Sequence, residues 1–111
     1  MAPKNLRTVK DSQEYNQIRT SKTVFVDFYA DWCGPCKMIS PVFEQLAEEF
    51  VDDEETVFLK VNVDDAPEIA SAEQIRAMPT FKAYRKGQLL WEVVGADSNK
   101  LTQSIKMSMS K

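Results

Sequence analysis

The chain has no histidine and only two cysteines among its 111 residues. No apolar run approaches the ~20 residues that a membrane-spanning helix needs. Basic charge is not in excess either: 14 lysines and arginines stand against 17 acids, a formal net charge of -3. Each absence narrows the function. Without a basic patch, nucleic-acid binding loses its usual electrostatic footprint, and no nucleic-acid partner is expected. Without imidazole, two thiols cannot complete a structural zinc site, which needs about four nitrogen or sulfur ligands, so no metal is expected. The opening MAPKNLRTVK carries three basic groups and no acid, but it lacks an apolar segment, so it does not read as a secretory signal. The expected setting is the cytoplasm, a reducing compartment in which lasting structural disulfides are rare.

What is present is ordinary globular composition, 43% hydrophobic and 28% charged. Residues 1–111 read as a single domain, long enough to bury a core without staples. There is no internal repeat, low-complexity tract or long linker. Residues 6–9 form a possible short strand. Asp11, with Glu14 three residues on, resembles a capping box and opens a helix with Tyr15 and Ile18 on its inner face. Residues 23–29 are nearly all apolar, as in a central strand covered on both faces. From 33 to 50 the period becomes helical. Ile39, Phe43, Leu46, Ala47 and Phe50 fall on one side, and Glu44, Gln45, Glu48 and Glu49 on the other. Pro41 removes one backbone hydrogen bond, so a kink is expected there.

A second central strand follows at 56–63, then a short helix opened by Pro67. Strands at 81–85 and 89–94 flank a turn at Lys86-Gly87-Gln88. A last helix is capped by Asp97 or Ser98, with Leu101 and Ile105 inward. This order predicts an α/β fold with a mixed sheet of four or five strands and helices on both faces. The six carboxylates of residues 48–55 read as a solvated helix end and loop.

Both cysteines lie in FYADWCGPCK, residues 28–37. A bridge between Cys33 and Cys36 closes a very small loop, so it removes little entropy from the unfolded chain. Redox chemistry accounts for more. Cys33 lies where a strand ends and a helix begins, and there the dipole and free N–H groups stabilise a thiolate, the attacking species. Cys36, one turn further in and expected to be more buried, can attack a mixed disulfide on Cys33 and release the reduced partner. Gly34 and Pro35 separate the pair. Pro35 suits a first turn and restricts the distance between the thiols, and Trp32 offers a flat apolar contact.

Two charges stand in apolar strands. Asp27, in VFVDFYA, is a buried carboxyl whose pKa should rise into the range where it accepts and returns the proton of Cys36. The alternative is a turn cap or a strand end in solvent. Lys60, in VFLKVNVDD, shares a face with Phe58 and Asn62. It is placed either to pair with Asp27 across adjacent strands or at an exposed sheet edge.

The segment DFYADWCGPCKMISP resembles the active-site segment of the thioredoxins. The likeness continues through the apolar strand ending in Lys60, Val63-Asp64-Asp65, Met78-Pro79-Thr80, Gly87 and Gly95, from about residue 6 to 105. It implies the thioredoxin fold, a central mixed sheet flanked by four helices. It implies a protein disulfide reductase with a redox-active Cys33-Cys36 disulfide and no bound cofactor. Pro79 resembles the family's cis-proline, and Met78 its backbone pairing edge. Asp27 matches the family's buried acid and Lys60 its strand partner. Trp32, Gly34, Pro35, Met78, Gly95 and Ala96 would form the contact surface.

The implied partners are an NADPH-dependent thioredoxin reductase and clients such as peroxiredoxins, ribonucleotide reductase and sulfoxide reductases. With no further cysteine, a thiol-linked dimer is not expected, and a monomer is. Tyr29 replaces the tryptophan of many members, and Arg76 and Ala77 alter the rim before Met78. Proline rather than histidine at position 35 favours a reductant over an isomerase-like oxidant. A non-catalytic thioredoxin-like binding subunit is the reading from another class.

Overall fold

The computed structural model describes residues 2–110. Nine elements follow in order: β1 (Leu6–Thr8), α1 (Ser12–Ser21), β2 (Thr23–Tyr29), α2 (Gly34–Glu49), β3 (Thr56–Asn62), α3 (Pro67–Ala72), β4 (Thr80–Arg85), β5 (Gln88–Val94) and α4 (Ser98–Met109). The sheet has five strands in the order β1-β3-β2-β4-β5. β3 runs parallel to both β1 and β2, whereas β4 is antiparallel to β2 and β5. The expected mixed sheet is therefore present with its upper number of strands. Strand limits shift by a residue from the sequence reading: β1 and β3 stop one earlier, while β4 and β5 start one earlier.

The central place of β2 explains its composition. Successive strand residues point to opposite faces. Val24, Val26 and Phe28 enter a core layer with Tyr15, Leu59, Val61 and Ile69. Phe25 enters the opposite layer with Ile39, Phe43, Phe58, Phe81, Leu101 and Ile105. A strand that must be apolar toward two layers cannot alternate with polar residues. Asp27 shares Phe25's face, and it is 1% exposed.

The helices end as their caps dictate. The Asp11 carboxylate accepts the Glu14 N–H at 3.0 Å, and the Asp97 carboxylate accepts the Lys100 N–H at 3.0 Å, so Asp97 rather than Ser98 is the last helix's cap. α2 runs unbroken across Pro41, with Cys33 and Phe50 as its two caps. Ile39, Phe43, Leu46 and Ala47 are buried, with the Phe43 ring centred 5.3 Å from Phe58 and 5.7 Å from Phe81. The turn between β4 and β5 uses Lys86 and Gly87, both at positive φ (50° and 89°), the pattern of a two-residue hairpin loop. The carboxylates of residues 48–55 are all exposed.

A polar cluster under α1 and α3 has no counterpart in the sequence reading. Glu73, which caps α3, accepts hydrogen bonds from the Tyr15 hydroxyl, from the Tyr84 hydroxyl at 2.5 Å and from Lys82 Nζ at 3.3 Å. Lys82 Nζ also donates to the Glu73 carbonyl at 2.7 Å. Burial opposes ionisation of Glu73, but the two phenols and the ammonium outweigh it, so its carboxyl sits below the usual range. Both phenols are pushed above theirs, chiefly by burial. The cluster fastens the start of the segment that leads to Met78 and Pro79.

Glu73→Ala should cost about 3 kcal/mol in urea unfolding at neutral pH, because it strips a nearly buried ammonium of its nearest carboxylate. Glu92→Ala removes only the more exposed partner of Lys82, 3.6 Å away, and should cost at most about 1 kcal/mol. Equal losses in the two variants would contradict this account of the cluster.

Candidate active site

In α/β sheets, sites gather beyond the C-terminal ends of the parallel strands. Here β2 ends at Tyr29, and α2 begins four residues after Ala30. The Cys33 sulfur accepts the Cys36 N–H at 3.2 Å and thus caps the helix. Cys33 and Cys36 are joined as a disulfide with Cα atoms 5.3 Å apart. Both are buried, Cys33 at 5% and Cys36 at 3% exposure, so the expected difference is small in this oxidised state. Pro35 stands in the first turn, where no N–H is required.

The second wall comes from far along the chain. The Met78–Pro79 peptide bond is cis, and Cys33 Sγ lies 3.7 Å from the Met78 carbonyl oxygen. The Pro79 carbonyl accepts the Gly95 N–H at 2.8 Å, and Gly95 has φ 102°, which only glycine adopts readily. Among the described residues, Met78's own N–H and C=O take no backbone partner. Around this edge, Trp32 and Val94 are 69% and 58% exposed, and Met38 is 81% exposed. Pro35, Met38, Ile39, Val42, Ala96 and Ser98 line a shallow groove beside them. Of the expected contact residues, Trp32, Gly34 and Pro35 adjoin Cys33 in sequence, Met78 lies against its sulfur, Pro35 and Ala96 line the groove, and Gly95 bonds to Pro79.

The rear of the site holds Asp27. A cavity of about 110 Å³ is bordered by Asp27, Cys36, Ser40, Lys60 and neighbours. Burial pushes the Asp27 carboxyl up to about 7, against a downward pull from Lys60 and a further upward push from Glu44. Among the described residues, its Oδ1 has no hydrogen-bond partner.

Lys60 does pull the Asp27 carboxyl downward, but the expected direct pairing needs correction. Asp27 and Lys60 are register partners on parallel strands, as the pairing idea requires. The ammonium nevertheless bonds elsewhere, to Ser40 Oγ at 2.7 Å and Glu44 Oε2 at 3.1 Å, and it lies 5.1 Å from the Tyr29 ring centre. The long lysine stem lets the charge reach the partly hydrated helix surface instead of entering the apolar layer. Glu44, assigned to the outer face, stays half-exposed there and meets the ammonium at that surface. The signal was available, since Cys36, Ser40 and Glu44 recur every four residues and so share a stripe. Asp64 was also missed as a site neighbour: its carboxylate accepts the Trp32 indole N–H at 3.0 Å. Its place just after β3, at the same C-terminal end of the parallel strands as the dithiol, was the available clue.

Comparison with known proteins agrees with this geometry. Residues 6–107 match the protein-family model described as Thioredoxin. The chain belongs to the thioredoxin family. It is 44% identical over 105 residues to Thioredoxin-1 of Schizosaccharomyces pombe, covering 94% of this chain and 99% of that one. It is 44% identical over 93 residues to human Thioredoxin, covering 84% and 86%. Among solved structures, Malassezia sympodialis thioredoxin superposes with a TM-score of 0.82 at 40% identity, covering 92% of this chain and 91% of that one.

A chain from a structure concerned with thiol resolution in a yeast mitochondrial 1-Cys peroxiredoxin gives 0.82 at 33% identity, covering 96% and 98%. This thioredoxin-family chain is a thiol–disulfide oxidoreductase whose cysteine pair itself carries the electrons, with no bound cofactor. Among the described residues, no helix is long and apolar enough to cross a membrane.

Asp27 makes stability fall with pH. Burial lifts the folded carboxyl to about 7, far above its ordinary value of 3.8, which represents the unfolded chain. Between those values the folded state binds the extra proton, so raising the pH destabilises it, and the loss levels off above about 7. Asp27→Asn should therefore be more stable than the parent at pH 8 by about 2–4 kcal/mol in denaturant unfolding. The advantage should shrink toward pH 4. A difference independent of pH would show that Asp27 is not a desolvated acid.

Proposed function

We propose that Cys33 is the nucleophile of a disulfide reductase, Cys36 its resolving thiol and Asp27 the proton acceptor and donor for Cys36. The observation that carries this is the placement of the two sulfurs at the start of α2, with Cys36 sharing a cavity with Asp27, whose buried Oδ1 has no partner among the described residues. In the reduced protein the Cys33 thiolate, stabilised by the Cys36 N–H and the helix dipole, attacks one sulfur of a client disulfide. A bond forms between Cys33 and that sulfur, the client bond breaks, and the other client sulfur leaves as a thiolate that takes a proton from water. Cys36 gives its proton to Asp27 and attacks Cys33 Sγ. The second client sulfur leaves, and the Cys33-Cys36 disulfide of this structure forms. Two electrons have moved to the client.

Pro79 and Gly34-Pro35 shape the site. Met78, through its free backbone groups, pairs with an extended client segment, and Trp32, Gly95 and Ala96 complete the contact surface. Lys60 tunes Asp27 through its charge. The chain acts as a single domain and a monomer in the cytoplasm. A thioredoxin reductase drawing on NADPH returns two electrons. Peroxiredoxins, ribonucleotide reductase and sulfoxide reductases are the client classes. The yeast structure concerned with a mitochondrial 1-Cys peroxiredoxin supports the first of these.

Cys33→Ser should abolish reduction of insulin disulfides. Cys36→Ser should accumulate client proteins bonded to Cys33, visible as bands that a small thiol releases. Normal turnover by Cys36→Ser would sink the two-step assignment.

A further inference from the structure

Cys36, Ser40 and Glu44 form one stripe of α2, and the stripe faces the strand positions that carry Asp27 and Lys60. Two carboxylates are thus within the influence of one ammonium. Asp27 is 1% exposed and receives no bond from Lys60. Glu44, with its side chain 46% exposed, holds the ammonium at 3.1 Å, and Ser40 links the pair by accepting from Lys60 at 2.7 Å and donating to Glu44 at 3.0 Å. The half-hydrated acid wins for a physical reason. It is already ionised, whereas ionising Asp27 means placing a charge in an apolar layer.

We infer that Glu44 is a positioning residue that draws the Lys60 ammonium away from Asp27, and so sets the pH at which Asp27 accepts the Cys36 proton. This rests on Asp27 serving as that acceptor. Other charged or titratable groups face the cavity as well: Tyr29 and Asp31 from β2 and the loop after it, and Lys37 beside Cys36 from α2. β4 offers only Phe81 as the register neighbour of Asp27. None of these bonds the ammonium; the Tyr29 ring lies near it without donating or accepting. Glu44 acts on Asp27 in two ways that agree in sign. Its own negative charge disfavours a second one, and its hold on Lys60 weakens the favourable pull of the ammonium. Neutralising Glu44 removes the first effect and frees Lys60 to turn into the cavity of about 110 Å³ that Asp27 borders.

The test compares the parent, Glu44→Gln, Glu48→Gln and Asp27→Asn. Glu48 is exposed on the same helix, so its variant reproduces the change in net charge without touching Lys60. The titration of the Asp27 carboxyl carbon is followed by NMR in the oxidised protein. The pH–rate profile of the reduced protein is measured against a short synthetic peptide carrying one disulfide. In Glu44→Gln both midpoints should move down by about one pH unit, the size expected when an opposite charge comes closer to a carboxylate. Glu48→Gln should move neither, and Asp27→Asn should remove the rate inflection.

An unmoved Asp27 titration in Glu44→Gln, or an equal movement in Glu48→Gln, overturns the inference whatever Asp27 does in catalysis. A rate inflection that survives Asp27→Asn instead overturns the acceptor role. The NMR titration then still decides whether Glu44 sets the proton affinity of Asp27.

Discussion

Strand β2 can occupy the middle of the sheet only because one helical layer covers each of its faces, and this double burial sets the terms for everything at its end. It makes the strand apolar in both directions, so the single carboxyl it carries is desolvated. It also aims the chain out of the sheet at a fixed place, where α2 must start. The dithiol is then positioned by a central strand and a long helix joined by a short loop. The proton affinity of Asp27 and the exposure of backbone amides to the Cys33 sulfur follow from one packing decision, not two.

The same layer explains why the site draws on such distant residues. β4 pairs antiparallel with β2, which brings Thr80 opposite Phe28 and leaves Met78 and Pro79 just beyond the ladder, beside Cys33. β3 pairs on the other side and brings Lys60 level with Asp27. Neither neighbour needs a local motif to arrive there. The sheet register delivers them, and side-chain length then decides what each one touches.

That division separates what was legible in the sequence from what was not. The double-sided run of β2, the helical period of α2 and the capping aspartates are local patterns, and they name their elements nearly to the residue. The cysteine pair announced its chemistry because few alternatives survive with two thiols and no imidazole. The resemblance to the thioredoxins supplied Pro79 and Met78, which no spacing argument could have linked to Cys33. Lys60 shows the limit. Its backbone position beside Asp27 was readable, but a lysine tip travels several ångströms from its Cα. Whether it meets Asp27 or Glu44 depends on which carboxylate is cheaper to keep charged. The Glu73 cluster was invisible for a different reason: Tyr15, Glu73, Lys82 and Tyr84 come from three separate parts of the chain, and each alone looks like an ordinary surface or core residue.

The anchoring of the segment between Glu73 and Pro79 bears on which disulfides the protein can choose. That segment is tied at one end by the Glu73 carboxylate and at the other by the Gly95 N–H, before any partner arrives. If clients pair with Met78 as proposed, association freezes little of this chain, and most of the ordering cost falls on the other molecule, which must offer its disulfide in an extended stretch. A disulfide already lying in a loosely held or locally unfolding region meets that demand at small cost, while one locked in a folded core does not. Discrimination among clients is then exercised partly through the client's own local stability, and a protein could become or cease to be a substrate by loosening or tightening around its disulfide without altering a single contact residue.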